Sequence, residues 1–423
     1  MQNIKENIGI IGLGYVGLPL CISLAKSYKV FAYDLNKKRI NDLKKKIDST
    51  NEIKKKEFLT KKKIFFSSNI NSLKTCTVII VTVPTPIFEK SKSPDLSHLS
   101  SACNKISKIM QKGCIVIFES TVYPGLTEGF CAKILEKKTK LKFNRDFYCG
   151  YSPERINPGD RVHTINKITK IVSASHPKVI KRIKLIYQKV TKSIYVAKNI
   201  KTAEAAKVIE NTQRDINIAL TNELSLIFKK NKINIFDVLK AAGTKWNFHQ
   251  YEPGFVGGHC IGVDPYYLTY YAKKTQINPK VILSGRKIND SMPKYFFKLC
   301  EHEIEKKIKK QKKNILFMGL TFKENCPDTR NSQALQILKF FKDDKKKYNV
   351  ISFDPYCTGN IQLNTIKEKK LMKYKNYFDV LILITPHQKI LKIQKKIVSL
   401  LKKNNIIFDP KNKLKEFSNK ITL

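Results

Sequence analysis

No apolar run in this 423-residue chain approaches the ~20 residues needed to cross a bilayer. The longest are short, such as Val78–Val83 and Val380–Ile384, so no membrane partner is expected. The first residues lack a charged segment followed by a secretory apolar run, and a structured motif is under way by Gly12. The ten cysteines are scattered with no CxxC pair, which gives no support for zinc knuckles or a dense disulfide framework. Reduced thiols and a cytoplasmic location are the expectation, with no metal, and nine of the ten cysteines are read as inert. Acidic residues are few, 34 against 81 lysines and arginines, leaving a net charge of +47. Arginine is scarce and confined to positions 39, 145, 155, 161, 182, 214, 286 and 330, so the positive charge is mostly lysine. Those lysines run along the whole chain beside abundant Ile and Asn, the pattern of a composition bias toward A/T-rich codons. Uniform charge is a solvated surface, not a patch, so no nucleic-acid partner is expected. The positive field still favours capture of an anionic substrate.

What is present is a globular composition, 42 % apolar and 27 % charged. The length corresponds to about two to four domains. Short apolar strands alternate with helical stretches: Ile8–Ile11, Val30–Tyr33, Val78–Val83 and Ile115–Glu119, then Ile315–Met318, Val350–Phe353, Val380–Ile384 and Ile406–Phe408. Apolar strands of this kind imply parallel sheets covered on both faces. Between the two series lies a helix spanning Thr202–Lys229, with Thr202 as a candidate cap and no Pro or Gly. At ~1.5 Å per residue it would reach about 40 Å, long enough to link two domains or form an oligomer seam.

Gly12, Gly14 and Gly17 follow the first strand and open a helix, with Asp34 ending the second strand. In that context Gly12 permits a tight turn, Gly14 lets backbone approach a pyrophosphate, and Gly17 allows close helix–strand packing. Free N–H groups at the helix start would hold the phosphates. Asp34 would accept from ribose hydroxyls and repel a 2′-phosphate, which favours NAD over NADP; Lys37, Lys38 and Arg39 work against that preference. A second informative segment is Pro253-Gly254-Phe-Val-Gly257-Gly258-His259-Cys260-Ile-Gly262-Val-Asp264. Glycines let backbone close around a ligand and bare one thiol. A nucleophilic thiol in a chain that also binds a nicotinamide suggests oxidation through a thioester. His259 would be a base, or a packing or backbone-bonding residue. Glu204, Lys207 and Asn211 share a face of the long helix, where the bland reading is an exposed ion pair.

Taken together these residues resemble the UDP-glucose/GDP-mannose dehydrogenase family of nucleotide-sugar 6-dehydrogenases. The resemblance runs in order through the glycine turn, Val83-Pro84-Thr85-Pro86, Glu119-Ser120-Thr121-Val-Tyr-Pro124-Gly125, Tyr151-Ser-Pro153-Glu154-Arg155, Glu204-Ala-Ala-Lys207 with Asn211, Gly257-Gly258-His259-Cys260, and Gly319-Leu-Thr-Phe322-Lys323 with Asp328-Thr-Arg330. Tyr151–Gly159 and Lys245-Trp-Asn-Phe248 are most similar to the branch acting on UDP-N-acetylhexosamines, the Vi-polysaccharide type. Glu252 departs from the basic residue expected before Pro253-Gly254.

The resemblance implies an α/β fold of two Rossmann-like, doubly wound parallel-sheet domains joined by a long central helix. Residues 1–200 would bind NAD, 201–300 would form a central dimerisation domain with the cysteine loop, and 301–423 would bind the UDP moiety. It implies a homodimer that oxidises the 6-hydroxyl of UDP-N-acetylglucosamine or UDP-N-acetylgalactosamine to the uronic acid, for surface-polysaccharide precursors; UDP-glucose and UDP-N-acetylmannosamine are the rival substrates. The implied NAD contacts are Gly12, Gly14, Tyr15, Val16, Gly17, Asp34, Arg39, Pro84, Thr85, Thr121 and Arg330, with Arg330 bridging phosphates or a subunit contact. Substrate contacts would come from Glu154, Arg155, Lys207, Asn211, Tyr251, Gly254, Gly257 and Lys323. Cys260 is the implied nucleophile, Lys207 and Asn211 the oxyanion donors, and Asp264 would help take a proton, directly or through water, and hold Lys207. Glu154 positions the hydrolytic water, with Thr121 nearby. A two-electron hydroxy-acid dehydrogenase would share the glycine turn and a catalytic lysine but needs no thiol, so Cys260 separates the two classes.

Overall fold

The computed structural model describes residues 6–50, 52–59, 63–154, 164–357 and 363–423. The chain divides into two compact units, one of residues 1–210 with 266–277, the other of 211–265 with 278–423.

The first unit is built on eight strands: β1 Asn7–Ile11, β2 Lys29–Tyr33, β3 Ile64–Ser67, β4 Val78–Val81, β5 Ile115–Phe118, β6 Tyr148–Tyr151, β7 Lys170–Ala174 and β8 Ile194–Val196. Their order is β3-β2-β1-β4-β5-β6-β7-β8. Pairing is parallel except between β6 and β7, where Gly150 faces Ala174 in an antiparallel ladder. β4 and β5 are buried at every position, as strands covered on both faces must be. Ile8, Ile10, Val30, Ala32, Val78, Ile80, Ile115 and Ile117 form one side of the core with Leu18, Cys21 and Ile22 of the helix Gly17–Leu24. Strand order reverses at β1 and β4, so the crevice outside their carboxyl ends is the place where such sheets hold a ligand.

The second unit carries five parallel strands, β9 Lys313–Met318, β10 Tyr348–Phe353, β11 Phe378–Leu383, β12 Leu401–Phe408 and β13 Lys420–Ile421, ordered β10-β9-β11-β12-β13. Successive side chains point to opposite faces. Ile315 and Phe317 pack with Met292, Phe296 and Cys300 of the helix Lys280–Lys307, while Leu316 and Met318 join Leu381, Leu383 and Ile390 on the other side.

The fold class read from the sequence is therefore present, an α/β protein with a large, almost wholly parallel sheet and a second parallel sheet. The long helix spans Ile200–Lys230 and runs across the division between the units at Glu210/Asn211. Its cap differs from the expectation. Asn199 Oδ1 accepts from the Thr202 N–H at 2.8 Å, so Asn199 caps the helix and Thr202 lies inside its first turn. Asn is as good a cap as Thr and sits where the first free N–H groups can reach it. Among the described residues no helix is long and apolar enough to cross a membrane, and no cluster of three His, Cys, Asp or Glu side chains could hold a metal ion.

Candidate active site

In the first unit the glycine turn follows β1. Gly12 has φ +92°, and its N–H donates to Tyr33 O at 2.9 Å. The Thr82 hydroxyl, just after β4, donates to Gly12 O at 2.7 Å. A Cβ on Gly17 would fall 1.9 Å from Gly12 O, so glycine is obligatory there. A Cβ on Gly14 would meet nothing within 4 Å, so open space lies over that backbone. Tyr15 and Val16 complete the turn into the helix Gly17–Leu24. Asp34 Oδ2 accepts from Leu13 N at 2.8 Å and Oδ1 from Asn36 N at 2.9 Å. Its carboxylate is thereby fixed, and each oxygen keeps acceptor capacity for a ribose hydroxyl. These features fit NAD. Arg39 is buried beneath the turn: Nε donates to Leu13 O at 2.9 Å, and Nη1 reaches Asp48 at 2.8 Å and Ser49 at 3.0 Å. Pro84 and Thr85 extend the end of β4, where Thr85 O accepts from the Tyr267 hydroxyl at 3.0 Å. Thr121 follows β5, next to Ser120, whose hydroxyl donates to Val83 O at 2.6 Å.

Glu154, after β6, belongs to a buried cluster. Lys170 opens β7 with no exposed surface, its Nζ 2.7 Å from Glu119 Oε2 and 2.5 Å from Glu154 Oε2. The Tyr187 hydroxyl donates to the other oxygen of Glu119. Burial works against the Lys170 ammonium, but the two carboxylates outweigh it and hold its pKa above the usual lysine value. Burial pushes the Glu119 carboxyl up to about 7 against the opposing pull of Lys170. Arg155 lies outside the described residues.

Glu204 is not the exposed ion-pair partner of the bland reading. It is fully buried and accepts from Gly125 N at 2.5 Å and Thr127 N at 2.9 Å, satisfying free donors at a helix start. Burial pushes its carboxyl up to about 7. Lys207 is buried on the next turn of the same helix, and Asn211 one turn further.

In the second unit Asn211 Nδ2 donates to Asp264 Oδ2 at 2.5 Å, and both residues are buried. The Asp264 and Val263 N–H groups donate to Cys260 O at 2.8 and 3.0 Å, so the thiol residue is one turn before Asp264. Cys260 is half-buried. Its loop is held by the segment after β9. Gly258 has φ +78°, exchanges bonds with Asn331, and would drive a Cβ to 2.5 Å from the Phe322 ring. A Cβ on Gly257 would come within 2.6 Å of Asn331 O. His259 stands edge-on to Phe322, with Nδ1 3.9 Å from Asp328. Asp328 itself receives Arg330 through Nε at 3.0 Å and Nη2 at 2.5 Å, and Lys323 lies half-buried in the same segment. Gly254 is gripped at both backbone atoms by the amide of Asn222, at 2.8 and 2.9 Å; Tyr251 is half-buried three residues earlier. The departure at Glu252 is met by Lys413, 2.9 Å away.

The chain matches the family models over nearly its whole length: the NAD binding domain at residues 6–191, the central domain at 201–291 and the UDP binding domain at 316–416. It belongs to the UDP-glucose/GDP-mannose dehydrogenase family. Its members are oxidoreductases, and this chain is accordingly an NAD-dependent nucleotide-sugar dehydrogenase. A UDP-N-acetyl-D-glucosamine 6-dehydrogenase of Pseudomonas aeruginosa is 48 % identical over 361 residues, covering 85 % of this chain and 84 % of that one. The enzyme of the same name from Salmonella typhi is 44 % identical, covering 91 % and 90 %. Among solved structures, a UDP-D-ManNAc dehydrogenase from Pyrococcus horikoshii superposes with a TM-score of 0.87 at 31 % identity, covering 98 % of each chain.

Several structural residues escape a reading of the sequence. Lys170 looks like any other lysine of the chain, and its partners lie 51 and 16 residues away. Asn222 and Asn289, which share a 2.8 Å bond behind Gly254, carry no motif. The buried pair His387 and Asp354, 3.0 Å apart behind the loop of Lys323, is equally silent. Glu119 opens the Glu119-Ser120-Thr121 motif, but nothing in the sequence pairs it with Lys170.

Proposed function

We propose that this chain oxidises the 6-hydroxyl of a UDP-N-acetylhexosamine, UDP-N-acetylglucosamine or UDP-N-acetylgalactosamine, to the uronic acid in two successive two-electron steps. The observation that carries this reading is Cys260, half-buried just after Gly257 and Gly258, where no Cβ fits, and one turn before a buried Asp264 that accepts from Asn211. Two relatives at 44 and 48 % identity bear the name of this activity, which supports the N-acetylglucosamine substrate.

The glycine turn and Asp34 would hold NAD, which when bound would supply the hydride acceptor for each oxidation. Lys207 and Asn211 donate to the C6 oxygen as charge develops on it, the placement that stabilises a transition state most. Asp264, whose carboxylate is oriented by Asn211, takes the hydroxyl proton directly or through water. Cys260 Sγ then forms a bond to the aldehyde carbon, and the aldehyde oxygen gains the thiol proton. Loss of a second hydride and a proton from that adduct leaves a thioester. Glu154 orients water to attack it, with Thr121 alongside, and cleavage of the carbon–sulfur bond returns the thiol and releases the acid. Lys323 binds the diphosphate or the sugar as a point charge. Arg155 and Tyr251 complete the substrate set, with the backbone at Gly254 and Gly257.

UDP-N-acetylmannosamine is the second reading, supported by the likeness to the Pyrococcus horikoshii structure and a 33 % identical relative of that activity. One assay separates the readings: NADH yield against a panel of UDP-sugars. The expected result is two NADH per UDP-N-acetylglucosamine or -galactosamine; one NADH with free aldehyde would exclude the thioester route. Ile209, Leu220 and Ile227 are half-exposed on one side of the central helix, which supports a homodimer formed around residues 201–300. Light scattering at the mass of two chains is the expected readout, and a single-chain mass would remove that part of the reading.

A further inference from the structure

Lys170 is absent from every role assigned above, yet it is the most deeply buried cation of the described residues and touches Glu154 directly. Its two carboxylate partners leave the ends of neighbouring strands. Glu119 follows β5 and stands two residues before Thr121; Glu154 follows β6. One ammonium therefore ties together the two chain segments that carry the groups assigned to the hydrolytic water. The titratable groups that act on Glu119 are Lys170 from β7, Glu154 from the end of β6, and Tyr187 from the helix Pro177–Gln188. A lysine this deep costs free energy unless something else requires it, because buried charge pairs do not repay their desolvation well. An apolar side chain of similar volume would fill the space without fixing the carboxylate of Glu154.

We infer that Lys170 is a positioning residue for thioester hydrolysis, holding Glu154 ionised and aimed while sharing its ammonium with Glu119. This rests on the functional reading above. It separates the two halves of the reaction: the first hydride transfer does not need Lys170, and hydrolysis does.

The test is single-turnover NADH absorbance with mass spectrometry of the protein, on wild type, Lys170→Met and Glu119→Gln, across pH. In Lys170→Met the first hydride step should change less than about threefold, while hydrolysis slows about a hundredfold and a thioester mass accumulates on Cys260. The acid limb of hydrolysis should move up by about one pH unit, since loss of the cation raises the Glu154 pKa. Glu119→Gln should move it the opposite way, because Glu154 then has the ammonium to itself. A purely structural lysine would slow both halves equally and leave both limbs in place, which overturns the inference. If Lys170→Met does not fold, Lys170→Met with Glu119→Gln relieves the buried repulsion and carries the same prediction for the partition between steps. Wild type that yields no NADH from any UDP-sugar overturns the functional reading itself; wild type that yields two NADH while Lys170→Met hydrolyses normally overturns only this one.

Discussion

Asp34 and Asp354 close the same turn in two different sheets. Asp34 Oδ2 accepts from Leu13 N at 2.8 Å after Gly12, and Asp354 Oδ2 accepts from Leu320 N at 2.6 Å after Gly319. Both glycines have positive φ, +92° and +80°, and both donate to the residue before the aspartate, Tyr33 O and Phe353 O. The difference is what remains of each carboxylate. Asp34 is half-buried and, among the described residues, accepts from two backbone N–H groups. Asp354 is fully buried and also receives Thr321 N, Tyr356 N and His387 Nε2. The first can still take ribose hydroxyls, and the second is spent on its own fold.

The two aspartates should therefore respond differently to substitution. Asp34→Ala is expected to raise the KM for NAD about tenfold or more, a loss of ~1.4 kcal/mol, with kcat little changed and the NADP to NAD ratio of kcat/KM increased. Asp354→Asn should leave the KM for NAD alone and cost about 1–3 kcal/mol of stability by opposing an amide to buried N–H donors. Steady-state kinetics and urea denaturation check both; an unchanged KM in Asp34→Ala removes the aspartate from the cofactor site.

Cys260→Ser should stop complete turnover while binding persists. A serine adduct is poorer and its ester slower to hydrolyse, so second-stage product should be trapped. Lys207→Ala should instead depress the first hydride step, by about 10²–10³-fold for a lost oxyanion donor. Rapid-mixing absorbance distinguishes the two; an intact first step in Lys207→Ala would refute its role.

Gly258→Ala tests the support of the thiol loop. The backbone there is left-handed, which costs ~1–2 kcal/mol for a residue with a Cβ, and the methyl group would collide with Phe322. Activity should fall sharply with the melting transition still cooperative. Gly258→Ala combined with Phe322→Ala should recover part of the loss, because it removes the collision but not the strained backbone.

Glu204 gives a pH prediction. Its folded pKa is raised to about 7 by burial, above that of an unfolded glutamate. The stability it contributes is then complete below the unfolded pKa and is lost as pH rises through 7. The difference in Tm between pH 5 and pH 8 should be smaller in Glu204→Gln than in wild type. An equal difference in both would show that Glu204 does not titrate in this range.

Much of the fold was legible because its signals are local. The glycine turn, its flanking strands and Asp34 occupy one short stretch, and apolar strands that are buried on both faces announce themselves. β6 did not, since Tyr148-Cys-Gly-Tyr carries a glycine in mid-strand. The structure supplies the reason: a Cβ at Gly150 would come within 2.7 Å of Ile183, so the glycine lets the helix Pro177–Gln188 lie close. β8 has only three residues, Ile194-Tyr195-Val196, largely exposed, too short a run to stand out. In the candidate site, the glycine-rich Cys260 loop and the Lys207/Asn211 spacing were readable from adjacency and helical period. Lys170 and Asn222 were not, because their meaning lies in partners that only the folded chain brings near.

The helix Ile200–Lys230 presents Glu204, Lys207, Asn211, Asp215 and Asn222 as buried polar groups at intervals of three, four, four and seven residues. Glu204 serves the Gly125 turn, Asn211 serves Asp264, Asp215 serves Asn289 and Arg286, and Asn222 serves Gly254. Each assignment depends on angular position around one axis. A single residue inserted or deleted between Asn211 and Asn222 would rotate the later groups by about 100° relative to Asn211 and aim them at the wrong neighbours. Between Asn211 and Asn222 the intervening letters can change, but their count cannot.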